Sequence, residues 1–169
     1  METMKNLISV VVTSYNHEKY IEQCLRSIFN QTYRNIELII LDDGSTDGSN
    51  QIIQNVLNDS PFETSFESHE NLGVVKNRNM GLGLTKGDYL LFVDSDNYLD
   101  MDYIEQLYSK LIETNADIAY CDLFNPEKEE FYLKSREFDL TAFLNASFID
   151  NCSLIRRSII GNTRYDEKL

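Results

Sequence analysis

Two carboxylates separated by a single residue, Asp94 and Asp96 in Asp94-Ser95-Asp96-Asn97, carry the clearest chemistry in the chain. On extended backbone leaving a strand, side chains two apart point the same way, so both can offer oxygen ligands to a hard cation such as Mn²⁺ or Mg²⁺. Such an ion completes its shell with phosphate oxygens, which implies a diphosphate ligand. The competing reading is structural: a turn whose Asp residues cap the helix that starts near Asp102. A second acidic pair, Asp42-Asp43, precedes Gly44-Ser45-Thr46-Asp47. If the strand continues through them, one faces a ligand and accepts hydrogen bonds from a ribose or a base N–H, while the other organises the turn. An Asx turn at a helix entrance would use the same residues.

Three further candidates surround these pairs. Tyr15, in Thr13-Ser14-Tyr15-Asn16, either stacks on a base or packs under the first helix, and Asn16 is expected to cap that helix. Lys76 and Arg78 are the only basic residues between Arg34 and Lys86, which suits a phosphate or uracil contact or an ordinary exposed helix face. Two other motifs fail on spacing. A calcium loop counted from Asp94 has Leu99 where glycine is required, and Gly81-Leu82-Gly83 with Gly87 precedes a strand where a dinucleotide fingerprint must follow one.

The elements that would position these residues alternate. Ile8 to Thr13 is β-branched and apolar without strict period two, as in a strand buried on both faces. Glu18 to Phe29 then shows helical spacing through Tyr20, Ile21, Cys24, Leu25, Ile28 and Phe29. The pattern repeats as strand Ile36 to Leu41, a helix carrying Ile52, Ile53, Val56 and Leu57, a weaker strand within Glu63 to Ser68, and a short helix from about Val75 to Leu84. Strand Tyr89 to Val93, helix Asp102 to Thr114 and strand Ile118 to Tyr120 follow. After a polar break at Asn125-Pro126-Glu127 the expectations are a strand at Glu130 to Leu133, a helix at Leu140 to Ala146 and a strand at Cys152 to Ile155. This order predicts an α/β fold with a mainly parallel central sheet and helices on both faces. Ligands of such sheets bind beyond the carboxyl ends of the strands, where Thr13–Asn16, Asp42–Ser45 and Asp94–Asn97 all fall.

Composition narrows the function. The 169 residues, 42% hydrophobic and 25% charged, suit one domain with a substantial core, over residues 1–169. A net charge of −13 supplies no counterion-release term, so nucleic acid is excluded as a partner. Between residues 88 and 130, twelve Asp or Glu face only Lys110 and Lys128. No apolar run approaches the ~20 residues of a spanning helix. Cys24, Cys121 and Cys152 form no metal or disulfide pattern, and the N-terminus shows no leader. The expectation is a cytoplasmic protein, free or peripheral at the inner membrane face; its oligomeric state is not readable.

Six segments, in order, resemble the inverting family 2 glycosyltransferases with the glycosyltransferase-A type fold: Ser9–Asn16, Ser27–Tyr33, Asp42–Asp47, Asn71–Gly73 with Arg78-Asn79, Gly87–Tyr89 and Asp94–Asp96. The resemblance implies that Thr13, Tyr15 and Asp43 line a nucleoside pocket, that Asp96 is the more direct ligand of Mn²⁺ or Mg²⁺, and that Asp94 lies nearer the ribose. Lys76 and Arg78 are carried over as donor contacts, and Asn97 stands where many relatives have another Asp. It implies displacement at the anomeric carbon of a nucleotide-diphosphate sugar, a UDP-sugar above others, by the hydroxyl of a saccharide or lipid-linked acceptor in cell-surface polysaccharide synthesis. A carboxylate base must deprotonate that hydroxyl. In the family it lies several residues beyond a segment similar to Arg164–Glu167, so the catalytic base is expected past Leu169, with Asp150, Asp166 and Glu167 the carboxylates at hand. The sequence therefore reads as a fragment lacking the acceptor and base segment, with donor binding and little transfer activity. Alternatives are a nucleotidyltransferase, weakened because Thr13–Glu18 replaces a Gly-rich basic loop, and a non-catalytic nucleotide-sugar-binding module. A receiver domain would carry its acidic pair after the first strand.

Overall fold

The computed structural model describes residues 6–125, 128–145 and 149–168. Six strands form one sheet in the order β3-β2-β1-β4-β8-β5. Here β1 is Ile8–Ser14, β2 Ile36–Asp42, β3 Glu63–Ser68, β4 Tyr89–Asp94, β5 Ile118–Ala119 and β8 Leu154–Arg156. The β3-β2-β1-β4 half is parallel, and β8 runs antiparallel to both β4 and β5. A separate antiparallel hairpin joins β6, Leu123–Asn125, to β7, Glu130–Leu133. The helices are α1 Ile21–Phe29, α2 Ser49–Val56, α3 Val74–Leu84, α4 Tyr103–Thr114, α5 Leu140–Asn145 and α6 Arg157–Ile160. The mainly parallel sheet with its helices is thus as expected.

All seven residues of β1 and of β2 are buried, which explains the missing alternation: both faces are covered. Ile8, Val10 and Val12 join Ile36, Leu38, Ile40, Tyr89, Leu91 and Val93 against Ile21, Leu25 and Ile28 of α1 and Ile104 and Leu111 of α4. Val11, Ile39, Leu41, Leu90 and Phe92 face the other way, toward Met80 and Leu82 of α3 and Ile160 of α6. On this second face α3 comes close, because a Cβ on Gly81 would sit 2.7 Å from Val11 Cγ1. Buried Gln31 fastens the end of α1 to the start of α4: its Nε2 donates to the Asp100 carbonyl at 2.7 Å and its Oε1 accepts from Ile104 N–H at 3.0 Å.

Departures from expectation concentrate at boundaries and beyond α4. Helix α1 starts at Ile21, three residues later than the expected Glu18, because His17 to Tyr20 form a turn closed by Tyr20 N–H on the His17 carbonyl. Strand β6 was not expected, and neither was α6; three and four residues are too few for a period to recur. Strand β8 begins at Leu154, two residues past the expected Cys152, with both partners antiparallel. Pro126, Glu127 and Ala146 of the expected break and helix lie outside the described residues.

Candidate functional site

Register brings the carboxyl ends together. Thr13 is the β-partner of Asp94, and Ser14 that of Asp42. Beyond these ends opens a cavity of about 240 Å³ lined by Thr13, Ser14, Tyr15, His17, Asp43, Val74, Asn77, Asp94 and Asp96. A larger one, of about 470 Å³, lies at the amino ends of β1 and β4 and includes Asn6, Lys86 and Asp88. The convergent carboxylates belong to the smaller cavity, so the chemistry is sought there.

The two acids after β2 divide their work. Asp42 has no exposure and accepts from Ser45 N–H (2.9 Å), Ser45 Oγ (2.5 Å), Asn50 Nδ2 (3.0 Å) and Ser68 Oγ (3.3 Å), closing the turn into α2. Asp43 lines the cavity and accepts main-chain N–H groups from Leu72 (2.7 Å) and Gly73 (3.0 Å), with His69 Nδ1 3.7 Å from its Oδ1. Each oxygen of Asp43 keeps a lone pair for a ligand. The Leu72–Gly73 loop comes this close because position 44 lacks a Cβ, which would lie 2.6 Å from Asn71 N at a φ of +76°.

Asn16 does not cap α1. With φ 55°, its N–H donates to Ser45 Oγ and its Oδ1 accepts from Thr46 N–H, both at 2.8 Å, so it ties the β1–α1 and β2–α2 loops together. Tyr15 remains about half exposed at the cavity, not packed under α1.

The acids after β4 are held more loosely. Asp94 Oδ1 accepts from Arg78 Nη2 at 2.8 Å and from Thr13 Oγ1 at 3.3 Å, while Oδ2 makes no hydrogen bond among the described residues. The Asp96 side chain is exposed and likewise has no hydrogen-bond partner among them. Neither caps α4, which begins at Tyr103. Between them, buried Ser95 Oγ lies 2.7 Å from His17 Nδ1. Burial pushes the Cys24 thiol up, and pushes Cys152 up to about 12, so both thiols behind β4 stay neutral.

These donors suit a divalent ion bound jointly with phosphate. Two carboxylates with unclaimed oxygens at one cavity match what Mg²⁺ takes from protein when phosphates and water complete its shell. Among the described residues no three His, Cys, Asp or Glu side chains cluster into a cage that would hold an ion without the ligand.

Lys76 and Arg78 part company on α3. Lys76 is exposed and outside the cavity lining. Arg78 is mostly buried and committed to Asp94; the Asn151 amide oxygen, oriented to meet it, accepts from Nη2 at 3.0 Å and Nη1 at 3.2 Å. Sequence reasoning passed over His17 and Asn77. Asn77 was readable, since it shares the sheet-facing side of α3 with Gly81 at i, i+4. His17 sits one turn before α1 in a loop already assigned to the rim. The carboxylates near the C-terminus are engaged away from the cavity: Asp150 Oδ1 accepts from Cys152 N–H, Asp166 Oδ1 from Lys168 N–H, and Glu167 Oε1 from Asn79 Nδ2.

Among the described residues no helix is long and apolar enough to cross a membrane. The family model for glycosyl transferase family 2 matches residues 9–164. Glycosyltransferase GlyA of Streptococcus pneumoniae is 36% identical over 148 residues, covering 85% of this chain and 21% of the relative. The teichoic acid poly(glycerol phosphate) polymerase of Staphylococcus epidermidis is 30% identical over 177 residues, covering 97% of this chain and 24% of its own length. The solved structure of S. aureus TarS 1–349 in complex with UDP superimposes with a TM-score of 0.75 at 25% identity, covering 96% of this chain and 51% of that one. The chain thus spans about a fifth to a half of these proteins. A strand-end cavity lined by Asp43, Asp94 and Asp96 and a family match over nearly the whole chain lead to one conclusion: the chain belongs to glycosyl transferase family 2.

Proposed function

We propose that the cavity binds the donor of a glycosyl transfer, a UDP-sugar, and that the protein passes the sugar with inversion to a hydroxyl of a saccharide or lipid-linked acceptor in cell-surface polysaccharide synthesis. The single observation that carries this is the pairing of two kinds of carboxylate in one cavity: Asp43 held rigid by main-chain donors, and Asp96 free of any described partner. The likeness to UDP-bound TarS supports the nucleotide, and the likeness to a teichoic acid polymerase supports the setting.

In this reading Tyr15 offers its exposed ring to a base and Asp43 accepts a base N–H. Thr13 and Asp94 face the ribose. Asp96, with the open oxygen of Asp94, would hold Mn²⁺ or Mg²⁺, which when bound neutralises charge on a departing diphosphate. Arg78 acts through Asp94, and Lys76 is assigned no contact. None of Asp150, Asp166 and Glu167 lines the cavity, so none is proposed as the base; this chain supplies donor recognition.

Calorimetric titration of UDP with and without Mn²⁺ tests the reading. Mn²⁺ is expected to tighten UDP binding at least about tenfold, ~1.4 kcal/mol, and Asp96→Ala to abolish that gain. Equal Mn²⁺ dependence in the variant would remove Asp96 from the assignment, and an absence of UDP binding would remove the donor.

A further inference from the structure

The last described residues turn back onto α3, fastened by one side chain. Asn79 Oδ1 accepts the main-chain N–H of Tyr165 at 2.9 Å, and Asn79 Nδ2 donates to the Tyr165 carbonyl at 3.0 Å. One amide thus takes both main-chain polar groups of one residue, as a neighbouring strand would. Nδ2 also reaches Glu167 Oε1 at 3.4 Å.

The clip decides where the Tyr165 ring goes. It meets Phe92 in a T-shaped contact with ring centroids 6.3 Å apart and planes at 75°, and the Arg78 guanidinium carbon lies 6.0 Å from its centroid. Phe92 stands two residues before Asp94 on β4, and Arg78 donates to Asp94 Oδ1. Arg78 and Asn79 are adjacent on α3 and so point about 100° apart, one toward the donor carboxylate and the other toward the C-terminal segment. A single helical turn therefore joins the two.

We infer that Asn79 and Tyr165 are positioning residues of the donor site: the amide clip sets the ring beside Arg78, and Arg78 holds one oxygen of Asp94 so that the other faces the cavity. This rests on the donor reading proposed above. An arginine side chain has many rotamers, and a carboxylate paired to a wandering guanidinium is oriented only part of the time. The Tyr165 ring and Asn151 leave Arg78 mostly buried, with its Nε unpartnered and shielded from water. That shielded Nε–H reports on the arrangement without any ligand.

The experiment compares Asn79→Leu and Tyr165→Leu with the wild-type chain by three readouts. These are solvent exchange of the Arg78 Nε–H by ¹⁵N NMR, trypsin cleavage after Arg164, and titration with UDP plus Mn²⁺ against uridine without metal. Asn79→Leu is expected to speed cleavage about tenfold, because opening of the segment becomes cheaper, and to speed Nε–H exchange. It should weaken UDP with Mn²⁺ about fivefold to tenfold and uridine, which meets Asp94 only through its ribose, by less. Tyr165→Leu keeps the main-chain clip, so it should disturb Arg78 and UDP without faster cleavage. Faster cleavage with the Arg78 signal and UDP affinity both unmoved would overturn the inference, leaving the segment as packing only. If the wild-type chain binds no UDP, the donor reading falls, and the Nε–H signal alone then decides whether the clip governs Arg78.

Discussion

The acidic pair that starts at the last residue of β2 and the one that starts at the last residue of β4 share a rim, yet the fold treats them in opposite ways. Asp42 is buried with four donors, and Asp43 is braced by two main-chain N–H groups. Asp94 has Arg78 and Thr13 on one oxygen only, and Asp96 has no partner among the described residues. A carboxylate offers roughly four acceptor positions. Where the protein fills them, the group is architecture; where it leaves them open beside a cavity, the group keeps its capacity for a ligand. The first pair builds a rigid wall, and the second leaves the charge a cation would meet.

That contrast is broken most severely at Asp42. Asp42→Ala removes the buried acceptor of four donors, of which those of Ser45 and Asn50 are half-buried and that of Ser68 is on an exposed residue, and about 3 kcal/mol of stability should be lost, the upper end for leaving donors unpaired. Urea unfolding measures it. A loss under ~1 kcal/mol would mean that the turn relaxes to satisfy its own donors and that the two pairs differ less than their hydrogen bonds suggest. Asp96→Ala, by comparison, should leave the unfolding midpoint within error.

Gly44→Ala attacks the bracing of Asp43 without touching the acid. The new Cβ meets Asn71 N at 2.6 Å and the His69 carbonyl at 3.1 Å, at a φ of +76° that disfavours alanine. We expect a cost of about 2 kcal/mol. Uridine affinity should fall with it, because the loop that must move carries the Leu72 and Gly73 amides. Unchanged uridine affinity in a destabilised variant would show that Asp43 keeps its orientation without them.

Much of this was legible in the sequence, and the limits have physical causes. Strands β1, β2 and β4 announced themselves by apolar runs because both sheet faces are covered, and Asp94 and Asp96, two residues apart, both line one cavity. The division between Asp42 and Asp43 was one of two readings that the pair allowed, and β2 ends at Asp42, so the turn takes part in setting it. Arg78 was not readable as a partner of Asp94, since the pair spans 16 residues and depends on how closely α3 approaches the sheet at Gly81. The antiparallel β8 was hidden for a similar reason: three residues carry no sign of direction, which is set by the path of the connection. Asn16 followed capping statistics in the wrong direction because its left-handed backbone turns its side chain toward the neighbouring loop.

The smallest expected effect lies at Thr13, whose hydroxyl is the weaker of the two donors on Asp94, at 3.3 Å. Thr13→Val keeps the shape and β-branching that suit a strand and removes only the hydroxyl. Because Arg78 still holds the same oxygen at 2.8 Å, stability should change by no more than about 0.5–1 kcal/mol, the net worth of one ordinary hydrogen bond. UDP affinity with Mn²⁺ should change less than about threefold, which corresponds to the same energy. A tenfold loss would place the hydroxyl in direct contact with the ligand and make Thr13 a recognition residue in its own right. A negligible change would assign the orientation of Asp94 to Arg78 alone, and would widen the difference between a pair fixed by many donors and a pair steered by one.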